Sequence, residues 1–252
     1  MYSICPKCNH HQSGDQSGSD KCESCGLVFS KYLKSLAADY QPAVVPDSST
    51  VHSGWLAATS QFLLRRRSNI GKAEFGGYLL LWLVFVFWGL DFVLMDFHSN
   101  EIGRSWFHNV NLVFHEAGHV IFRPFGRTMM ILGGSLFQVL LPFILMFAFL
   151  ITNKDGFAAS VCLWWSGQSM MDVAPYIADA RALRLPLLGG GTGADSPGMH
   201  DWANLLRPRG WLEYDLRIAA VVDAVGSGLL LIALVWGGFI LLLSRKEVLR
   251  KS

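Results

Sequence analysis

Apolar runs of about twenty residues dominate the last two thirds of this 252-residue chain. They cover residues 77–97, 131–151, 157–178 and 218–243, with a shorter and more polar run at Trp106–Phe122. A helix of about twenty residues spans the ~30 Å hydrocarbon core of a bilayer. Inside hydrocarbon a helix satisfies all of its own backbone hydrogen bonds, which an open strand cannot do. The chain is 52% hydrophobic, too apolar for an ordinary soluble domain, and its 17 Phe and 9 Trp suit a helical membrane protein with aromatic residues near the interfaces. The expected fold class is therefore an all-α polytopic membrane protein with about five membrane segments. The net charge of only +2 gives no reason to expect a nucleic-acid partner.

The shortest run carries the most chemistry. It contains His115-Glu116-Ala117-Gly118-His119, and the run has no proline and no strand-like alternation, so a helix is expected. Positions i and i+4 share one helix face about one turn apart, so His115 and His119 can ligate a single zinc ion. Glu116, beside them, is then placed to act as general base toward water activated by the ion. Ionisable residues in membrane helices are costly and usually mark function, which sets this pattern apart from two ordinary helix histidines.

A second cluster lies near the N-terminus. Cys5-Pro6-Lys7-Cys8 and Cys22-Glu23-Ser24-Cys25 are two Cys-x-x-Cys pairs separated by 13 residues. Each pair can wrap one side of a tetrahedral ion, which predicts a four-thiolate structural zinc site. The segment resembles small zinc-ribbon modules. The other reading is a pair of disulfides, which needs export to an oxidising compartment. Residues 1–30 are polar and cysteine-rich, with no apolar core of a secretory signal. His10 and His11 are read as loop residues, and Cys162 as apolar packing.

Three regions are expected: the ribbon at 1–30, a linker and basic juxtamembrane segment at 31–72, and a membrane domain at 73–252. Pro42, Pro46 and the polar residues up to Gly54 give the linker its character. Arg65, Arg66, Arg67 and Lys72 precede the first apolar run and place it with its N-terminal side in the cytoplasm. If every run reverses direction, residues 123–127 are inside and 153–156 outside. The tail, with Arg245, Lys246, Arg250 and Lys251, then falls outside, against the same rule. A re-entrant segment between 180 and 213 is one way to remove that conflict. The expected location is an integral, multi-pass position in a bacterial inner membrane.

The region from about residue 106 to 184 resembles the site-2 protease family of intramembrane zinc metalloproteases. That family places a Gly-Pro-x-x-Asn element after the His-Glu helix; this chain has Gly134-Ser135-Leu136-Phe137-Gln138. The family's third ligand is the aspartate of an Asn-Leu-Leu-Pro-x-x-Pro-x-Asp-Gly stretch. The corresponding region runs from Ser169 through Asp172 and Pro175 to Asp179 and Arg181. Asp179 matches the aspartate after a two-residue insertion, and Asp172 stands where the family has its first proline. Asp179 and Asp172 are thus alternatives for third ligand, and the other of the two can orient a histidine. His200, in His200-Asp201-Trp202, is a lesser candidate, and Asn111, one turn before His115, is either a support for the site or a plain helix-packing polar residue.

The resemblance implies a zinc metalloprotease that cleaves peptide bonds of membrane-associated substrates. One catalytic and one structural zinc ion are expected, and the ribbon is expected to dock a cytoplasmic protein or to regulate. Two other readings use the same residues. One is a non-catalytic membrane adaptor with a structural metal, whose ribbon recruits a cytoplasmic partner. The other is a metallohydrolase acting on a non-peptide amide.

Overall fold

The structure, a computed structural model, describes residues 4–11, 20–39, 48–67 and 70–250. The proline-bearing part of the expected linker, residues 40–47, lies outside the described residues. The chain divides into two compact units, Met1–Ala57 and Ala58–Ser252. Both are helical, and among the described residues the only β pairing is three isolated bridges.

In the first unit, two cysteine knuckles share one geometry. Cys5 N donates to His10 O and Asn9 N to Cys5 O; Cys22 N donates to Leu27 O and Gly26 N to Cys22 O. Each knuckle closes on a residue in the left-handed region, Asn9 (φ 55°) and Gly26 (φ 72°), the residue types that tolerate it best. Helix α1 (Phe29–Asp39) follows. Helix α2 (Ser48–Leu63) starts inside the stretch expected to be linker. Ser and Thr open helices as readily as they populate loops, so composition alone does not separate the two.

The second unit is built around α6 (Gly156–Ala178), of which 17 of 23 residues are buried. It is therefore enclosed by protein. Helices α3 (Lys72–Leu94), α4 (Trp106–Phe122), α5 (Arg127–Ala148) and α8 (Asp215–Arg250) pack around it, and the six-residue α7 (Asp201–Leu206) lies in the connection from α6 to α8. Three helical stretches are long and apolar enough to cross a membrane: Lys72–Leu94, Arg127–Asn153 and Leu212–Lys246. Their outward faces carry exposed Leu80, Phe87, Ile144, Phe147, Ile232 and Val235. A contiguous exposed apolar surface of this kind fits lipid rather than water.

Packed side chains fix the direction of each helix. At one end Phe157, Ile240 and Leu241 cluster with Leu64, Phe75 and Tyr78. There Gly156 N donates to Arg65 O (2.7 Å), and Arg65 Nη1 donates to Leu150 O (2.9 Å). In the middle, Trp164 packs with Phe85, Phe92 and Phe107. At the other end Val173, Ile177 and Ala219 cluster with Phe97 and Trp202. Helices α3 and α6 therefore run from the Arg65 end to the far end, and α5 and α8 run back.

Helix α4 departs from the alternation assumed in the sequence. Phe97 reaches the far end, but Ile102 lies back in the middle cluster. Helix α4 then starts at the level of Trp164 with Phe107 and climbs toward the far end again, in the same direction as α3 and α6. Residues 95–105 are thus re-entrant. The 153–156 loop consequently shares an end with Arg65, not the opposite end, and α8 finishes at that end too. Arg245 and Lys246, in the last turns of α8, therefore lie at the Arg65 end.

Candidate metal centre

Close backbone approach puts the histidine face of α4 against α5. A Cβ on Gly118 would lie 2.1 Å from Gly133 O, and one on Gly133 would lie 2.7 Å from Gly118 O, so only glycine permits this contact. The approach lets His119 Nδ1 donate to the carbonyl of Met130 at 2.8 Å. His115 Nδ1 meets Gln138 Oε1 at 3.2 Å. Both imidazoles then turn Nε2 the same way, over Gly134, where an added Cβ would stand 2.6 Å and 2.7 Å from the two Nε2 atoms.

The carboxylate that meets them belongs to Asp201. Its Oδ2 lies 3.1 Å from His115 Nε2 and 3.2 Å from His119 Nε2. Neither aspartate expected from the sequence takes that place. Asp172 is a buried hydrogen-bond hub: it accepts from Asn111 Nδ2 (3.2 Å) and Gln138 Nε2 (2.9 Å), and pairs with His108 Nδ1 (2.9 Å). Asp179 closes the turn after α6, accepting from the backbone N–H groups of Arg184 and Leu185, both at 2.9 Å. Its other neighbour is His200 Nε2, at 3.4 Å. Burial works against the ionised form of Asp179, but His200 and the two N–H groups outweigh it and hold its carboxyl below the usual range.

His200 is held away from the imidazole pair. Its Nδ1 accepts from Ala203 N at 3.2 Å and so caps α7, and its ring packs on Tyr176 at a tilt of 38°, with centroids 4.3 Å apart. Asp201 N donates to Tyr176 Oη (3.0 Å), and Trp202 Nε1 donates to Ser135 Oγ (3.1 Å). These contacts fix α7 against α5 and α6 with the Asp201 carboxylate aimed at the imidazoles.

Hydrogen-bond chemistry then tests the site for a cation. Met130 O can only accept, so His119 Nδ1 carries a proton. Asp172 can only accept, so the Gln138 amide presents N–H₂ to it and Oε1 to His115, whose Nδ1 must also carry a proton. In the neutral imidazoles both Nε2 atoms are bare lone pairs. They converge with a carboxylate oxygen at 3.1 and 3.2 Å, a contact that a ring proton satisfies in the metal-free protein and that a cation in the same place would also satisfy. Ligands held at about 2.0–2.1 Å around a tetrahedral zinc stand roughly 3.3 Å apart. The donor set thus fits a divalent metal, with outer hydrogen bonds that orient both histidines.

The site opens into a cavity of about 760 Å³. Glu116 lines it beside His115 and His119, as do His108, Tyr176 and Asp201. Glu116 is exposed, whereas His115 is buried. A carboxylate oxygen of Glu116 lies within 4.8 Å of a ring nitrogen of His115 and of His119, so Glu116 borders the ligand cluster as well as the cavity.

In the first unit the four sulfurs of Cys5, Cys8, Cys22 and Cys25 lie within 4.8 Å of one another. Cys5 Sγ is 3.8 Å from Cys25 Sγ, and Cys8 Sγ is 3.7 Å from Cys22 Sγ. These are free thiols, not disulfides. Four thiolates at about 2.3 Å from a tetrahedral zinc stand roughly 3.8 Å apart, so this group also fits a metal ion. The backbone N–H of Cys25 helps pull the Cys22 thiol down to about 6, while, against the N–H of Leu27, burial and the neighbouring thiols push Cys25 up to about 11, so the four do not ionise together without a cation.

No protein-family model, curated protein or solved structure matches the chain.

Proposed function

We propose that the second unit is a membrane-embedded zinc hydrolase of the site-2 protease type, acting on peptide bonds of membrane-associated substrates, and that the first unit is a structural zinc ribbon. The observation that carries this reading is the convergence of His115 Nε2, His119 Nε2 and Asp201 Oδ2 beside a cavity that Glu116 also lines. In this reading α4 and α6 join the three long apolar helices in the bilayer, giving about five membrane segments.

A zinc ion bound there supplies Lewis acidity and lowers the pKa of water. His115, His119 and Asp201 would hold the ion, and a three-residue set of this kind would leave a position for water. Glu116 takes a proton from the attacking water and returns it to the leaving amine. Met130 O and Gln138 Oε1 hold the imidazoles so that Nε2, not Nδ1, faces the ligand cluster. Asp172, through Gln138, fixes that orientation for His115. Tyr176 supports the backbone of Asp201.

The adaptor reading has less support, because a structural metal needs neither the cavity nor an exposed glutamate next to the ligands. The deciding experiment pairs metal analysis with cleavage of a membrane-embedded peptide. Glu116→Gln keeps the shape but removes the base, so zinc content should persist while cleavage falls about a hundredfold or more. Cleavage at the normal rate in Glu116→Gln would overturn the hydrolase mechanism in favour of the adaptor.

A further inference from the structure

We propose that the metal centre works on the non-cytoplasmic face of the membrane, on peptide segments that leave the bilayer there. The substrate part rests on the hydrolase reading above; the orientation does not.

Helix direction places the centre. His119, Met130, Asp201 and Trp202 sit at the end where α6 finishes and α8 starts. Arg181 crosses from the end of α6 to Asp215 at the start of α8, with contacts of 2.8 and 2.7 Å. The opposite end holds Arg65, the start of α3, the 153–156 loop and the last turns of α8. Strict alternation of the apolar runs would put residues 123–127 on the side of Arg65; the segment 95–105, by turning back, reverses that.

Charge then assigns the faces. Arg65, Arg66, Arg67 and Lys72 precede α3, and the segment after it, residues 95–105, holds one basic residue, Arg104. The first helix usually sets orientation, with its basic flank in the cytoplasm. The last turns of α8 bring Arg245 and Lys246 to the same face. The metal end also carries arginines, so the total count does not decide; the flanks of the first helix do. Each end has an arginine in an ion pair, Arg181 with Asp215 and Arg67 with Glu74, so pairing does not favour either end.

The cavity mouth has the chemistry for segments emerging from lipid. Leu188 and Met199 line it and are each 66% exposed, next to the turn at Gly189. Apolar side chains around a polar centre suit a chain leaving hydrocarbon better than a fully solvated peptide.

The test is cysteine accessibility in the full-length protein, in intact cells. Gly189→Cys reports on the metal end, since a Cβ there has nothing within 4 Å. Asn153→Cys reports on the exposed loop at the other end. A membrane-impermeant maleimide is applied, and labelled positions are assigned by peptide mass. Labelling at 189 in intact cells, and at 153 only after permeabilisation, is the expected result. The reverse pattern, or the same response at both positions, would overturn the orientation. In parallel, a membrane peptide should be cut when its cleavable segment lies outside and spared when it lies inside. No cutting of either form, with the labelling pattern as expected, would overturn the hydrolase reading while leaving the orientation in place.

Discussion

At the residue scale, the centre depends on atoms that are not ligands. Gly134 is the clearest case. A methyl group there would lie 2.6–2.7 Å from the Nε2 atoms of His115 and His119. These are the far ends of side chains, which can swing aside, so Gly134→Ala should fold. Swinging aside moves the donors off the metal position. Gly134→Ala is therefore expected to lower the zinc content of the second unit with little change in melting temperature; unchanged zinc affinity in a titration would contradict the placement of the site. Asp201→Ala should weaken binding most, because it removes the carboxylate that meets both imidazoles and leaves only Glu116 near them. Asp172→Asn should weaken binding about ten- to a hundredfold while leaving all three ligands in place, the usual scale for losing an outer hydrogen-bond partner. Measured zinc dissociation constants for the two aspartate variants check that order. The histidine pair and the four cysteines were legible because their spacing is local. Asp201 was not: it lies 86 residues beyond His115, and its position comes from contacts to Tyr176, Ser135 and the His200 cap. The one signal was His200-Asp201-Trp202 standing in an otherwise irregular segment, and there the histidine drew attention away from its neighbour.

At the element scale, the α4–α5 contact is the determinant. Gly118 and Gly133 let two backbones touch, and that contact brings Met130 O to His119. Gly118→Ala forces the helices apart because backbone, not a flexible side chain, blocks the added carbon. Overpacking of this kind costs about 1–3 kcal/mol. The variant should melt earlier and also bind zinc less tightly, in contrast to Gly134→Ala. Two helix extents follow apolar length closely, Trp106–Phe122 as expected and α6 within one residue, whereas α3, α5 and α8 start three to five residues before their apolar runs. The direction of α4 was not readable. Counting apolar runs assumes that each one reverses the chain, and a half-depth start at Phe107 leaves no mark in hydropathy.

At the scale of the whole molecule, the two units present two different metal chemistries: four thiolates in Met1–Ala57, and two imidazoles with a carboxylate in Ala58–Ser252. Purified protein should carry about two zinc ions per chain, and about one after Cys5→Ser with Cys8→Ser. Elemental analysis decides this; a ratio unmoved by the cysteine changes would remove the ribbon site and leave the membrane centre untouched.

The mid-depth start of α4 also bears on how the protein is made. This helix carries His108, Asn111, His115, Glu116 and His119, and Asn111 and His115 are buried against partners on α5 and α6. A newly synthesised α4 has none of those partners, and its polar groups disfavour entry into lipid by several kcal/mol. If α4 and α6 lie in the bilayer as proposed, α3 can insert at once, whereas α4 is expected to stay at the membrane surface until α6 emerges. A nascent chain ending before residue 156 should leave residues 106–122 accessible to an impermeant probe, and extension through α6 should close them off.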